Sequence, residues 1–320
     1  MHTSPLVSVC MITFNHARFT RDAIEGVLSQ KVNFPIEYII ADDFSTDGTR
    51  EILLEYQKKH PGLIRLILQE KNTGAANNWS DLIRSPKGKY IAYFEGDDYW
   101  TDTAKLQKQV DFLEQNSDFA ICFHNAKIIY DEEPGKISFT NEPSQPEISG
   151  FEDLAKGEFI YTATCMFRLE HFKKFPEKYL RHLNNYTLDL HNAQYGKIKY
   201  LNEVMSVYRK HKGGIWSMVA REKTLITQLP DYKFYLDYFP KKYRHFFAEH
   251  VKNMINELIA IKFENKDYKG LWKYFAEYCY YNRNEKNAFK GIMITFLGGC
   301  KGHIQKILGN SFSGRKKIMN

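Results

Sequence analysis

The chain has 320 residues, 43% of them apolar, with 23 Phe and 21 Tyr, enough for one large packed domain and a smaller appendage, so disorder is not the default. The formal net charge is +7, but residues 286–320 hold seven Lys or Arg and no acid, so the first 285 residues balance to zero and the positive charge belongs to the tail. The five cysteines, at 10, 122, 165, 279 and 300, form no CxxC pair and no disulfide framework; with no signal-peptide layout and no apolar run near the roughly 20 residues of a bilayer span, a reducing cytoplasmic location is expected.

Along the chain, strand patterns alternate with helical ones. Apolar runs at Leu6–Phe14, Glu37–Ala41, Ile64–Gln69, Tyr90–Phe94 and Phe119–Phe123 predict strands. Amphipathic stretches at Thr20–Gln30, Thr49–His60, Ala75–Ile83 and Thr103–Asn116 predict crossover helices between them. Residues 1–125 are therefore expected to form an α/β nucleotide-binding half with a Rossmann-like sheet flanked by helices. Asp131–Gly150 holds three of the ten prolines and predicts an exposed loop or hairpin. A strand at Phe159–Arg168, a helix at Thr187–Tyr195 and a strand at Lys197–Tyr208 follow, completing an acceptor half over residues 126–220. Residues 221–320 read as a helical C-terminal region. Its helices at Phe246–Phe263 and Tyr268–Asn282 are joined tightly enough for an antiparallel hairpin.

Chemistry concentrates at the strand ends. In Tyr93-Phe94-Glu95-Gly96-Asp97-Asp98-Tyr99-Trp100, three carboxylates follow an apolar strand, at the end where open α/β sheets bind ligands. Their repulsion is relieved by a divalent ion, Mg²⁺ or Mn²⁺, shared with a diphosphate; the competing role is an acidic turn in which Asp98 caps the helix near Thr103. A second acidic turn, Asp42-Asp43-Phe44-Ser45-Thr46-Asp47-Gly48-Thr49, suits helix capping through Asp47. Capping needs one carboxylate, so the Asp42-Asp43 pair is free for another task; a strand-end Asp can accept a hydrogen bond from a nucleobase imide N–H. Thr13, Phe14 and Asn15 end the first strand, with an aromatic ring to stack on a base. Asn72, Gly74 and Asn78 lie in a loop of small and amide residues suited to a ribose or diphosphate.

Taken together, VSVCMITFN, IIADDFSTDGT, EKNTGAANN and YIAYFEGDDYW resemble the family 2 inverting glycosyltransferases of bacterial surface-glycan type in order and spacing, over residues 6–217. The resemblance implies a GT-A fold and a nucleotide-sugar donor such as a UDP-sugar. It also implies Mn²⁺ or Mg²⁺, and a glycan or lipid-linked acceptor of the kind found in capsule or lipopolysaccharide synthesis. It assigns Thr13, Phe14 and Asp43 to the base, and Glu95, Asp97 and Asp98 to ribose and metal, with Asp97 and Asp98 both open as the direct ligand. Glu95 stands where Asp is more usual. Inversion requires a general base for the acceptor hydroxyl, and the family's usual Asp falls here at Asn185, whose amide cannot serve. Asp189 sits one turn later on the same helical face. Either Asp189 has taken over, or the function is lost, or Asn185 replaces an Asp. Downstream, Val207–Ser217 also resembles the family: His211 is expected near the metal, with Arg209 and Lys212 neutralising the leaving diphosphate.

Apolar residues at 293, 296, 297, 300, 304, 307 and 308 form a helical stripe opposite basic groups, with Arg315-Lys316-Lys317 beyond. Two roles are open: peripheral attachment to an anionic membrane, on its inner face, or docking on the core. Nucleic acid is not an expected partner, because aromatic and basic residues are not interleaved on a sheet face. No P-loop, HExxH, GxSxG elbow or GxGxxG after the first strand occurs. A nucleotidyltransferase would want a glycine- and arginine-rich loop after the first strand, where FNHARF lacks the glycines. A non-catalytic sugar-nucleotide-binding protein is kept open by Asn185.

Overall fold

The computed structural model describes residues 4–214 and 219–282. The basic tail, with both of its expected roles, therefore lies outside the described residues. The chain divides into two compact units, Met1–Ser217 and Met218–Asn320.

In the first unit, β1 (Val7–Thr13), β2 (Ile36–Asp42), β3 (Ile64–Leu68) and β4 (Tyr90–Glu95) alternate with α1 (Thr20–Leu28), α2 (Thr49–Lys59) and α3 (Ala75–Ile83). A short strand β5 (Tyr99–Trp100), helix α4 (Lys105–Gln115) and long strand β6 (Phe119–Tyr130) follow. The segment predicted as loop or hairpin contains β7 (Ile137–Phe139), which folds back antiparallel on β6, and β8 (Ile148–Ser149). Next come α5 (Phe151–Lys156), β9 (Met166–Arg168), α6 (Leu169–Phe172), α7 (Asn185–Ala193) and β10 (Lys197–Lys210). The strands form one mixed sheet in the order β3-β2-β1-β4-β9-β6-β10-β5, with β7 on β6 and β8 on β10.

Strands β1 to β4 are parallel, and β1 is almost entirely enclosed, as a strand covered on both faces must be. Val9, Met11, Ile40 and Phe94 pack with Ile24 and Val27 of α1, Leu53 of α2 and Leu106 and Val110 of α4. β2 lies on one side of β1 and β4 on the other, so the order reverses there. Sheets of this kind take ligands in a crevice beyond the carboxyl ends of the strands at such a reversal, here β1 and β4.

The predicted strand Phe159–Arg168 forms only over Met166–Arg168; a 3₁₀ turn occupies Thr162–Thr164. Side chains explain the difference by capturing backbone groups that a ladder would need. The Trp100 indole donates to the Ala163 carbonyl at 3.0 Å, Gln109 donates to Thr164 at 2.9 Å, and the Thr164 hydroxyl donates to Tyr161 at 2.7 Å. Helix α7 begins two residues earlier than predicted, because Asn184 Oδ1 accepts from the Thr187 N–H at 2.8 Å and caps it.

The second unit contains α8 (Arg221–Tyr238), α9 (Arg244–Glu264) and α10 (Tyr268–Asn282). Leu225, Leu229, Tyr235, Phe247, Val251, Ile255, Leu258 and Leu271 are buried within it. Tyr235 and Phe239 each pack on Phe247, at ring separations of 5.6 Å or less.

Candidate active site

The acidic turn after β4 lies against the carboxyl end of β1. Gly96 N–H donates to the Ile12 carbonyl at 2.8 Å, binding the turn to the end of β1. A Cβ at position 96 would stand 2.8 Å from Thr13 Oγ1 and 2.9 Å from Thr13 Cβ, so only glycine permits this approach.

Within the turn the acids have different surroundings. Asp97 Oδ2 lies 3.0 Å from His211 Nε2 and 3.9 Å from His16 Nε2. Ligand atoms of His16, Asp97 and His211 lie within 4.8 Å of one another. Burial opposes ionisation of Asp97, but the His211 hydrogen bond, and then the proximity of His16, hold its carboxyl below the usual range. The same burial keeps the His16 imidazole below its ordinary pKa, hence neutral and able to ligate. Asp97 Oδ1 is buried without a partner among the described residues, leaving a ligating atom free.

Asp98 is 1% exposed, and its Oδ1 accepts from the Arg209 backbone N–H at 2.9 Å. Burial and the neighbouring Asp97 and Glu95 push its carboxyl well above the carboxylate range. Of the two acids open as metal ligand, Asp97 groups with His16 and His211, while Asp98 joins the turn to β10 through Oδ1 and keeps Oδ2 buried without a partner among the described residues. Glu95 accepts from the Thr162 hydroxyl and, at 3.2 Å, from the Asn185 amide. Burial raises the Glu95 carboxyl to about 7, with the Thr162 bond opposing and Asp97 adding to the rise.

Several expectations need correction. Asp189 has no exposed surface, and its Oδ1 lies 3.4 Å from the Tyr93 hydroxyl and 3.7 Å from Cys165 Sγ, beneath the cleft. Burial, then Glu158, pushes its carboxyl well up, and with no exposed surface it is enclosed away from an acceptor. Asn185, at the usual base position, faces Glu95 instead. Arg209 was expected on the leaving diphosphate, but its guanidinium donates to the Asp97 carbonyl at 3.0 Å and to Asp22, between the rings of Phe19 and Tyr99. Lys212 is exposed and pairs with Glu132 at 2.7 Å. Asp42 is fully buried against Arg50 at 2.8 Å, and Asn78 donates to the Ala41 carbonyl at 3.0 Å; both are occupied in holding the fold.

The other residues expected on the nucleotide lie at the ends of β1 and β2 and in the loop before α3. Phe14 is 42% exposed at the end of β1, and Phe44 is 39% exposed at the end of β2. Asn15, at φ 54°, donates its N–H to the Ser45 hydroxyl and accepts from Thr46 through its side chain, tying the two strand ends together. Asp43 is 3% exposed, accepting from Thr73 N–H at 2.7 Å, Thr73 Oγ1 at 2.9 Å and Gly74 N–H at 2.9 Å. It thereby anchors the loop of Asn72 and Gly74 to β2, and Asn72 remains exposed. Asp47 takes the helix-capping role, accepting from Thr49 N–H and Oγ1. Sequence reasoning left His16 unassigned: it looks like an ordinary loop residue until β1 and β10 bring it to 6.2 Å, ring to ring, from His211.

The fold has clear parallels. The uncharacterized protein Rv1520 of Mycobacterium tuberculosis is 36% identical over 211 residues, 66% of this chain and 60% of that protein. The Escherichia coli UDP-Glc:alpha-D-GlcNAc-diphosphoundecaprenol beta-1,3-glucosyltransferase WfaP is 29% identical over 66% of this chain and 79% of its own. Among solved structures, S. aureus TarS 1–349 in complex with UDP-GlcNAc superposes with a TM-score of 0.61 at 16% identity, covering 86% of this chain and 81% of TarS. Mannosyltransferase PcManGT from Pyrobaculum calidifontis, with GDP-Man and Mn²⁺, gives 0.55 at 14% identity over 97% of this chain and 85% of its own. The mixed sheet is thus the GT-A fold of glycosyltransferases. The glycosyl transferase family 2 profile matches residues 8–176, more than half of the sequence, and the chain belongs to that family.

Proposed function

We propose that this protein is a metal-dependent inverting glycosyltransferase. It moves a hexosyl or N-acetylhexosaminyl group from a UDP-sugar to a hydroxyl of a surface glycan or lipid-linked acceptor. The observation that carries this reading is the His16–Asp97–His211 cluster beside the β1/β4 crevice in a chain of this family. Two imidazoles with one carboxylate suit a first-row transition ion such as Mn²⁺ better than Mg²⁺, which prefers oxygen ligands. When bound, the ion supplies charge neutralisation for the departing diphosphate. The exposed ring of Phe14 offers a stacking face for the base, and Asp43 holds the Asn72–Gly74 loop where ribose and base would lie. Arg209 keeps Asp97 in place from behind.

The relatives support the donor and acceptor classes. WfaP is named for a UDP-Glc donor and a diphosphoundecaprenol acceptor, and TarS holds UDP-GlcNAc. Among the described residues no helix is long and apolar enough to cross a membrane. We place the protein in the cytoplasm, with its basic tail as the part that would meet an anionic membrane. The test is UDP release from UDP-glucose and UDP-GlcNAc with Mn²⁺ and after chelation, together with the anomeric configuration of the product by NMR. Metal-dependent release with inversion supports the reading; metal-independent release or a retained anomer contradicts it. A second reading, sugar-nucleotide binding without turnover, is favoured by the Asn185 amide at the base position. UDP binding with no release from any donor would select it.

A further inference from the structure

The geometry leaves the acceptor side without a base at either expected position, since Asn185 is an amide and Asp189 is enclosed. Both oxygens of Glu95 are engaged, one by Thr162 and the other by Asn185. A further carboxylate stands nearby. Glu158 lies in the link between α5 and the Thr162–Thr164 turn, and side chains of the sheet hold this link. The Phe159 carbonyl accepts from the Asn141 amide at 2.8 Å, and its ring packs on Phe123 at 5.6 Å. The Tyr161 ring packs on Tyr208 at 5.7 Å, and the hydroxyl of Thr162, four residues on, reaches Glu95. The side chain of Glu158 is exposed, and among the described residues no hydrogen bond or ion pair engages it.

We propose that Glu158 is the general base of this enzyme, a role that rests on the sugar-transfer reading above. In the step, the acceptor O–H bond breaks and its proton passes to the Glu158 carboxylate. The oxygen forms the new bond to the anomeric carbon. The bond from that carbon to the donor phosphate breaks, and the electron pair leaves with the nucleoside diphosphate. Glu158 combines solvent access with close surroundings of protein, as on the wall of a concave site. Burial raises its carboxyl to about 7, and the charge of Glu95 adds to this. A base in that range is mostly ionised just above neutrality yet still basic enough to take a proton. Its charge also acts on the buried Asp189 and Tyr93.

The experiment uses the full chain, Mn²⁺ and UDP-GlcNAc or UDP-glucose, with water as the acceptor and UDP release as the signal. Glu158→Gln and Glu158→Ala are expected to lower release at least ~100-fold, the scale of a lost general base, while UDP affinity by calorimetry changes less than about twofold. Sodium azide, a nucleophile with no proton to lose, is expected to restore UDP release in Glu158→Ala and to produce a glycosyl azide. If Glu158→Gln keeps more than about a third of wild-type turnover, or azide does not accelerate Glu158→Ala, the assignment is overturned while the transferase reading stands. If the wild-type protein binds UDP but turns over neither donor, the transferase reading fails and this role falls with it.

Discussion

Replacing Arg209 with Lys separates two roles that the sequence could not. If Arg209 holds the acidic turn, Arg209→Lys keeps the charge but loses the fork that reaches both the Asp97 carbonyl and Asp22. A hydrogen bond from a charged donor to a carbonyl contributes about 1.5 kcal/mol. The Asp22 carboxylate is 57% exposed, so its pair is discounted to about 0.5 kcal/mol. Contacts with Phe19 at 5.0 Å and Tyr99 at 4.4 Å weaken with the loss of the planar group, adding a few tenths of a kcal/mol. The sum is about 2 kcal/mol, which for a unit of this size lowers Tm by about 4–8 °C. Thermal melts without ligand measure that shift. Calorimetry with UDP and Mn²⁺ should show about tenfold weaker binding, about 1.4 kcal/mol, as Asp97 is released. A melt within about 1 °C of wild type combined with lost UDP affinity would refute the reasoning, placing Arg209 on the nucleotide instead.

Asp43→Ala removes the acceptor for Thr73 and Gly74, and UDP affinity by calorimetry should fall about tenfold with circular dichroism unchanged; undiminished affinity would detach that loop from nucleotide binding. Asp189→Asn should keep UDP release within about threefold of wild type, because the carboxyl it replaces is enclosed and has no surface to offer an acceptor; a loss near that of a general base, ~100-fold, would restore Asp189 to the mechanism. Lys105 is fully buried, its Nζ bonded to Gln109 at 2.8 Å, and burial lowers its pKa to about 7. Below that value both folded and unfolded chains carry the charge and the burial cost is whole, whereas between there and the unfolded value of 10.5 the folded chain holds fewer protons and stability recovers as pH rises. Lys105→Met should therefore raise Tm more at pH ~6.5 than at pH ~9.5; an equal gain at both would contradict a neutral buried amine.

Residues 1–125 were legible because their signals are local. The apolar run of β1, the capping turn at Asp47 and the helical pattern of α3 each follow from a few neighbouring residues, and they appear where the sequence places them. Residues 126–220 were less legible because their geometry depends on distant side chains. Phe159–Arg168 has the apolar pattern of a strand, but Trp100 and Gln109 draw its carbonyls into a turn. Asn185 and Asp189 share a helical face by spacing. However, every residue from Tyr186 to Ala193 is buried, so periodicity could not say which end of the helix meets the cleft. His16 and His211 are far apart in the chain and acquire a shared purpose only when β1 and β10 are set in one sheet. Arg209 and Lys212 are near neighbours in a basic segment with a phosphate-like appearance, yet one is turned inward against Asp97 and Asp22 and the other outward to Glu132.

The central claim is that Asp97, with His16 and His211, holds a divalent ion that carries the nucleotide diphosphate. Calorimetry of UDP with the full-length protein, with Mn²⁺ and after chelation, for wild type and Asp97→Asn, tests it most directly. The account predicts that Mn²⁺ tightens UDP binding at least ~30-fold in wild type, about 2 kcal/mol, and that this gain disappears in Asp97→Asn. An equal Mn²⁺-dependent gain in both proteins, or UDP binding indifferent to Mn²⁺ in wild type, would contradict it.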